Sequence, residues 1–176
     1  MTLTRMIEDH PEMFRGLYRL GETRAKPVIT YQVETLAATR DEALPLLDRH
    51  YDEIAQFKGV QKLDPDWETY DALEKTGKLW VMTVRDRGIM VGYIVMVISR
   101  ALHYRNLIMA TEDIHFLLPE YRKGLIGYRL LAKAKQAMKE KGAKMAIMRC
   151  KARQSHAVLF ERLGGELSDM VYAFTL

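Results

Sequence analysis

The segment Pro119-Glu120-Tyr121-Arg122-Lys123-Gly124-Leu125-Ile126-Gly127-Tyr128-Arg129-Leu130-Leu131 constrains this chain more than any other. An apolar run at residues 114–118 precedes it and reads as a strand. Helical spacing follows, with Ile126, Leu130, Ala134 and Met138 four residues apart. A strand that feeds a short basic loop and then a helix leaves unsatisfied backbone N–H groups at the loop, together with the positive end of the helix dipole. Arg122 and Lys123 add full charges there. A phosphate-bearing ligand is the natural occupant.

The rest of the chain supplies a sheet and helices around that unit. Residues 31–36 read as a strand. Thr39 and Glu42 have capping-box spacing, but Pro45 would then lie inside the helix, so the regular helix is expected to start near Pro45, with Leu47, Tyr51 and Ile54 on one face. Asp64-Pro65 is expected to open a second helix carrying Trp67, Tyr70 and Leu73, with Gly77 as its stop. Residues 79–84 and 89–98 read as hairpin strands around Asp86-Arg87-Gly88. Residues 102–106 read as a loop and 107–118 as a third long strand. Beyond the helix, residues 144–149 read as a strand, 155–163 as a short helix ended by Gly164-Gly165, and 170–176 as a last strand. The sum is an α/β domain over residues 31–176, with a mixed, mostly antiparallel central sheet flanked by helices. Residues 1–30 read as an N-terminal extension with a short helix opening at His10-Pro11-Glu12.

Composition sets the outer limits. A chain of 176 residues with 48% hydrophobic content suits one domain with a full core. A net charge of +4 suits an anionic ligand without singling out nucleic acid. Cys150 is the only cysteine, so no intramolecular disulfide can form, which suits a reducing compartment. No span approaches the ~18 apolar residues of a membrane helix. Glu8, Asp9 and His10 stand where a signal peptide needs an apolar core. A soluble cytoplasmic protein is expected.

The element order and the 119–131 segment resemble the GCN5-related N-acetyltransferase (GNAT) superfamily, over about residues 31–176. The superfamily's signature is Arg or Gln, two residues, Gly, one residue, then Gly or Ala. Arg122 matches its first position and Gly127 its last. Leu125 stands where the first Gly is expected, and Gly124 sits one position early. The resemblance implies acetyl-CoA as acyl donor and direct transfer of the acetyl group to a primary amine. It implies that Arg122, Lys123, Gly124, Leu125, Ile126, Gly127 and Tyr128 hold the pyrophosphate. It also implies that backbone groups of Phe116 and Leu117 align the pantetheine, with a backbone N–H there as candidate oxyanion donor, and that Ser155 and His156 lie near the thiol.

Residues 153–165 resemble the family's late helix, with Arg153 in place of an Asn and Phe160 in place of a Tyr. That Tyr is often the general acid for the leaving thiolate. Phe160 cannot fill the role, so either another group serves or the thiolate leaves without a dedicated acid.

The run Glu112-Asp113-Ile114-His115 is the candidate catalytic cluster. Two acids and a His in an otherwise apolar strand are costly unless exposed or used. Alternation puts Thr111, Asp113 and His115 on one face and Glu112 on the other, and a β-bulge would change that parity. Asp113 is favoured as the group that assists amine deprotonation, directly or through water, with His115 and Glu112 as alternates. Simple ion pairing with an Arg or Lys is the competing explanation. His50, Glu53 and Asp48 do not make a metal site. Trp67, Tyr70 and Trp80 read as core, Cys150 as a buried strand end, and the lysines between 133 and 144 as a solvated face. Leu125 and Phe160 motivate a second reading, a catalytically degenerate GNAT-fold binding or assembly module. A longer acyl-CoA donor is a third. The amine acceptor is not selected by the sequence, and homodimers are common in the family.

Overall fold

The computed structural model describes residues 26–152 and 155–175. The expected helix at residue 11 lies outside that range, as do Arg153 and Gln154. Five strands form one sheet in the order β1 (Ile29–Glu34), β2 (Leu79–Asp86), β3 (Ile89–Ala101), β4 (Tyr104–Leu117) and β5 (Met145–Ile147). The first four neighbours pair antiparallel, and β4 pairs with β5 in parallel. Helices α1 (Leu36–Ile54) and α2 (Trp67–Lys75) join β1 to β2. Helix α3 (Ile126–Glu140) joins β4 to β5, and α4 (Ala157–Arg162) follows β5. This is a mixed, mostly antiparallel sheet flanked by helices.

Neighbouring residues on β4 fix the layers. Phe116 stacks on His50 of α1, with ring centroids 4.9 Å apart. Leu117 turns the other way, where its Cδ2 lies 3.7 Å from the position a Cβ would take on Gly127 of α3. Strand side chains alternate, so α1 and α3 lie on opposite faces. Every residue of β2 is buried, as a strand covered on both faces requires. On α3, Leu130, Leu131, Ala134 and Met138 are buried, while Lys133, Lys135 and Lys139 sit on the outer side. Gly92 allows a close approach between β3 and β4. A Cβ there would come within 2.7 Å of the Phe116 carbonyl oxygen. Among the described residues no helix is long and apolar enough to cross a membrane.

Four local expectations need correction. Helix α1 begins at Leu36, capped by Thr35, whose hydroxyl accepts from the Ala38 N–H at 3.3 Å, and it runs through Pro45. Proline removes one donor and strands the carbonyl four residues back. That carbonyl belongs to Asp41, which is exposed and reaches water. Helix α2 is capped by Asp66, not Asp64, and Asp66 accepts from both the N–H and the hydroxyl of Thr69. The expected loop at 102–106 shrinks to a turn at Leu102-His103, because β3 and β4 keep pairing beyond the apolar core, to Ala101 and Tyr104. Residues 170–175 form no strand. Val171, Tyr172 and Phe174 have strand-like composition, but they lie exposed and unpaired with the sheet. Cys150 also differs from expectation. It is half-buried and lies three residues beyond the end of β5.

One polar cluster is built into this frame. Arg85, buried in β2, donates to Glu34 of β1 at 2.9 and 3.1 Å, to Glu42 of α1 at 2.8 and 2.9 Å, and to the Gly88 carbonyl at 2.8 Å. Glu42 also accepts the Met90 N–H at 2.8 Å. The guanidinium therefore ties the sheet edge, the hairpin and α1 together.

Candidate active site

A bulge in β4 organises the site. The β3–β4 register pairs Val95 with Ile114 and Met96 with Glu112, so Asp113 is an extra residue on β4. Simple alternation would join Asp113 to His115. The bulge instead joins Glu112 to His115 and leaves Asp113 with a different partner. The Glu112 carboxylate is buried, and its Oε1 lies 3.1 Å from His115 Nδ1. Its Oε2 accepts the Arg149 N–H at 3.0 Å, and the Arg149 guanidinium donates to the Glu112 carbonyl at 2.6 Å. Burial pushes this carboxyl upward, but the hydrogen bonds from His115 and Arg149 prevail and hold it below the usual carboxylate range. His115 Nε2 lies 2.8 Å from His156 Nε2, and the Phe160 ring sits beside His156 at 5.3 Å between centroids. An ionised Glu112 only accepts. With both imidazoles neutral, His115 carries its proton on Nδ1 and accepts at Nε2, and His156 is the donor, as the network assigns them.

The parallel pairing of β4 with β5 stops at Thr111 and Ile147. One residue later on β4 the Glu112 side chain takes the Arg149 N–H that a continued ladder would have used. The two strands part at this point.

Asp113 faces α2, where the Tyr70 hydroxyl donates to its Oδ2. Tyr70 forms part of the wall of a cavity of about 340 Å³ between the sheet, α1 and α2, along with Leu47, His50, Trp67, Tyr93 and Ile114. Tyr70 and Trp67 are partly buried against the core, as expected, and also line this cavity, whereas Trp80 is fully core. Burial, then the hydrogen bond to the Asp113 carboxylate, pushes the Tyr70 phenol far up, so it stays protonated. His50 Nδ1 meets the Tyr93 hydroxyl at 3.0 Å, and burial, then the nearby His115, pulls the His50 pKa down to about 4.

The His50 shift carries a sign. Between pH 6.5 and about 4 the unfolded chain protonates His50 and the folded chain does not, so stability falls as pH falls through that window. The drop from 6.5 to about 4 corresponds to on the order of 3 kcal/mol. Urea titrations at stepped pH should show a loss of that order before the carboxylates titrate. His50→Phe should flatten that part of the profile, and an unchanged slope would contradict the assignment.

The basic loop lies on the α3 side. Gly124 has φ +80°, a conformation that glycine adopts without strain, and Leu125 is 57% exposed with its side chain turned outward. Helix α3 starts at Ile126 with no side-chain cap. Among the described residues, the N–H groups of Gly124, Leu125, Ile126, Gly127 and Tyr128 have no side-chain cap and make no close, well-aligned backbone hydrogen bond. A second cavity opens at this loop, lined by Gly124, Leu125, Tyr128, Leu159 and Arg162. Lys123 is exposed beside it, and Ser155 is exposed at the approach to α4, where its hydroxyl accepts the Ala157 N–H at 3.3 Å. Arg122 is placed differently from its expected role. Its Nε donates to the Leu117 carbonyl at 2.7 Å, its Nη atoms bind Glu53 at 2.6 and 2.7 Å, and its guanidinium lies 5.3 Å from the Phe116 ring centre. It ties the loop and the end of β4 to α1.

Four residues of this arrangement were not read from the sequence as site residues: Glu53, Tyr70, Arg149 and Arg162. The first three act through partners dozens of residues away, so no local spacing marks them. Arg162 carried a weak signal, since it follows Phe160 on the late helix. Among the described residues no group of three or more His, Cys, Asp or Glu side chains could hold a metal ion.

No family model matches the chain, and no curated protein matches it in sequence. Solved structures do match in fold. An aminoglycoside acetyltransferase from an uncultured soil metagenomic sample, in complex with trehalose, superposes with a TM-score of 0.64 at 16% identity, covering 84% of this chain and 96% of that one. Glucosamine-6-phosphate N-acetyltransferase from Arabidopsis thaliana gives 0.64 at 11% identity, covering 84% and 98%. A predicted acetyltransferase from Clostridium acetobutylicum with acetyl-CoA gives 0.63 at 10% identity, covering 84% and 96%. The chain has the fold of the GCN5-related N-acetyltransferases.

Proposed function

We propose that this protein is an acetyl-CoA-dependent N-acetyltransferase that moves the acetyl group to a primary amine by direct transfer. The observation that carries the reading is the row of uncapped amides from Gly124 to Tyr128, set at the end of a bulged strand whose Asp113 is held by Tyr70, a residue in the wall of a second cavity. Free amides at a helix N-terminus suit a diphosphate, with Lys123 and Arg162 adding charge. Gly127 supports the same occupant. A Cβ there would make only ordinary contacts, at 3.7 Å from Leu117 and 4.0 Å from Leu159, so packing within the chain does not demand glycine. A ligand approaching the backbone does. The structures of this fold that contain acetyl-CoA or a CoA bisubstrate analogue support the choice of donor. A lone cysteine suits the cytoplasm.

Acetyl-CoA would supply an activated acetyl group at the point where β4 and β5 part. Asp113 takes the amine proton, directly or through the Tyr70 hydroxyl, which passes its own proton on. The amine nitrogen then forms the new bond to the acetyl carbon as the carbon–sulfur bond breaks. The Glu112–His115–His156 chain lies on the opposite face, and His156, once it has taken a second proton from solvent on Nδ1, would return that proton to the departing sulfur and be left as the neutral donor to His115. The pair of imidazoles thereby fills the role that Phe160 cannot.

Calorimetric titration of acetyl-CoA tests the donor site. Gly127→Ala is expected to weaken binding by at least about tenfold without lowering the melting temperature, since the change removes glycine from a helix and adds no clash. Arg122→Ala is expected to weaken it less and to destabilise the loop, because Glu53 and the Leu117 carbonyl lose their partner. Undiminished affinity in Gly127→Ala would sink the donor-site assignment. Binding without transfer to any amine would favour the non-enzymatic module.

A further inference from the structure

The cavity between α1, α2 and the sheet has an apolar wall and few charges. Its volume, about 340 Å³, is at the small end for a small-molecule site. Leu36, Leu47, Trp67, Val81, Met90 and Ile114 make most of that wall. The polar side chains among them are turned to partners within the protein. The Thr39 hydroxyl donates to the carbonyls of Thr35 and Leu36 at 3.0 and 3.2 Å. The Tyr51 hydroxyl donates to the Gln61 carbonyl at 2.6 Å, and the Thr83 hydroxyl to Glu34. His50 meets the Tyr93 hydroxyl at 3.0 Å and is neutral at pH 7. The Arg40 guanidinium pairs with Asp71 at 2.5 Å. The Tyr70 hydroxyl donates to Asp113, and its oxygen keeps a lone pair for one N–H donor. The remaining charges of the lining are Lys62 and Lys151 against Asp64. All three are exposed at the mouth, and among the described residues none forms an ion pair.

An ammonium drawn out of water needs a countercharge or an acceptor. A polyamine or an aminoglycoside brings several. It would pass two lysines and find one lining carboxylate, Asp64, which stays at the mouth. A monoamine brings one, and its apolar body gains by leaving water. The rings of Trp67, Tyr70 and Tyr93 in the wall suit an aromatic body in particular. We infer that the cavity binds a small monoamine with an aromatic or apolar body, and that it discriminates against polycationic amines. That this monoamine is the acetyl acceptor rests on the transferase reading; the binding itself does not.

The test is equilibrium binding by calorimetry on the full chain, using phenethylamine, ethylamine and spermidine as probes. Phenethylamine is expected to bind at least about tenfold tighter than ethylamine, the low end for burying a large apolar group. Spermidine is expected to bind more weakly than phenethylamine at physiological ionic strength. Ala43→Phe, which fills the cavity from α1, should bring phenethylamine down to the level of ethylamine, with thermal melting to check that the variant folds. The double variant Lys62→Glu/Lys151→Glu changes two exposed positions and should raise spermidine affinity more than phenethylamine affinity. Ethylamine or spermidine binding as tightly as phenethylamine would overturn the inference. So would undiminished phenethylamine affinity in folded Ala43→Phe, or an unchanged ratio of spermidine to phenethylamine in the double variant. Mass-spectrometric assay of acetyl transfer separates the two readings. Phenethylamine binding with no transfer to any amine would refute the transferase and keep the pocket. Transfer to spermidine but not to phenethylamine would overturn the monoamine as acceptor and keep the transferase.

Discussion

Asp113→Asn is expected to lower kcat/KM for amine acetylation by about 10²–10⁴-fold, the range for removing a positioned general base. The fold should survive, because the Asn amide oxygen can still accept the Tyr70 hydroxyl hydrogen bond that Asp113 accepts now. Acetyl-CoA affinity should be unchanged, because the donor site lies on the α3 side of the sheet and Asp113 faces α2. A structural carboxylate would behave otherwise, changing stability and leaving the rate of the folded protein alone. The competing base is Glu112 acting through His115. A larger loss in Glu112→Gln than in Asp113→Asn, measured on folded variants at saturating acetyl-CoA, would move the base to the other face. Glu112→Gln carries its own structural penalty, since the carboxylate is buried and satisfies Arg149 and His115. For that reason the comparison is made on the rate at matched folded fraction.

The parts of this architecture that were legible in the sequence are those that local spacing dictates. Ile126, Leu130, Ala134 and Met138 recur at helical period, and they are the residues, or neighbours of the residues, that α3 buries. The β2–β3 hairpin was marked by Asp86-Arg87-Gly88, and the structure turns there with positive φ at Arg87 and Gly88. Pro45 misled because a proline's cost depends on whether the stranded carbonyl reaches water, which only the three-dimensional setting decides. The tail at 170–175 misled because composition favours a strand but cannot supply an edge to pair with. At the site, Glu112-Asp113-Ile114-His115 stood out as costly, yet which members act together depended on a bulge that the spacing permits but does not require. Arg122 was legible as a cation at a phosphate loop. Its capture by Glu53, 69 residues away, was not.

Arg85→Met is expected to cost about 3–5 kcal/mol in urea unfolding at pH 7, toward the lower end because Glu42 is partly exposed. The penalty comes from what stays behind. Without the guanidinium, Glu34 and Glu42 face each other's charge, and Glu34 remains mostly buried with only Thr83 to donate to it. At present burial pushes the Glu34 carboxyl up, but the hydrogen bonds from Arg85 and Thr83 prevail and hold it below its usual value. A lowered carboxylate pKa stabilises the fold above the unfolded value of about 4.5 and loses that contribution as pH falls through the folded value. The deficit of Arg85→Met should therefore be largest at neutral pH and shrink in acid, where Glu34 is protonated in both proteins. The double variant Arg85→Met/Glu34→Gln should recover part of the loss at pH 7, because it replaces an unpaired buried charge with a neutral group. A deficit that does not change with pH, or a double variant less stable than Arg85→Met, would mean that packing by the arginine stem, and not its charge, holds β1, the hairpin and α1 together.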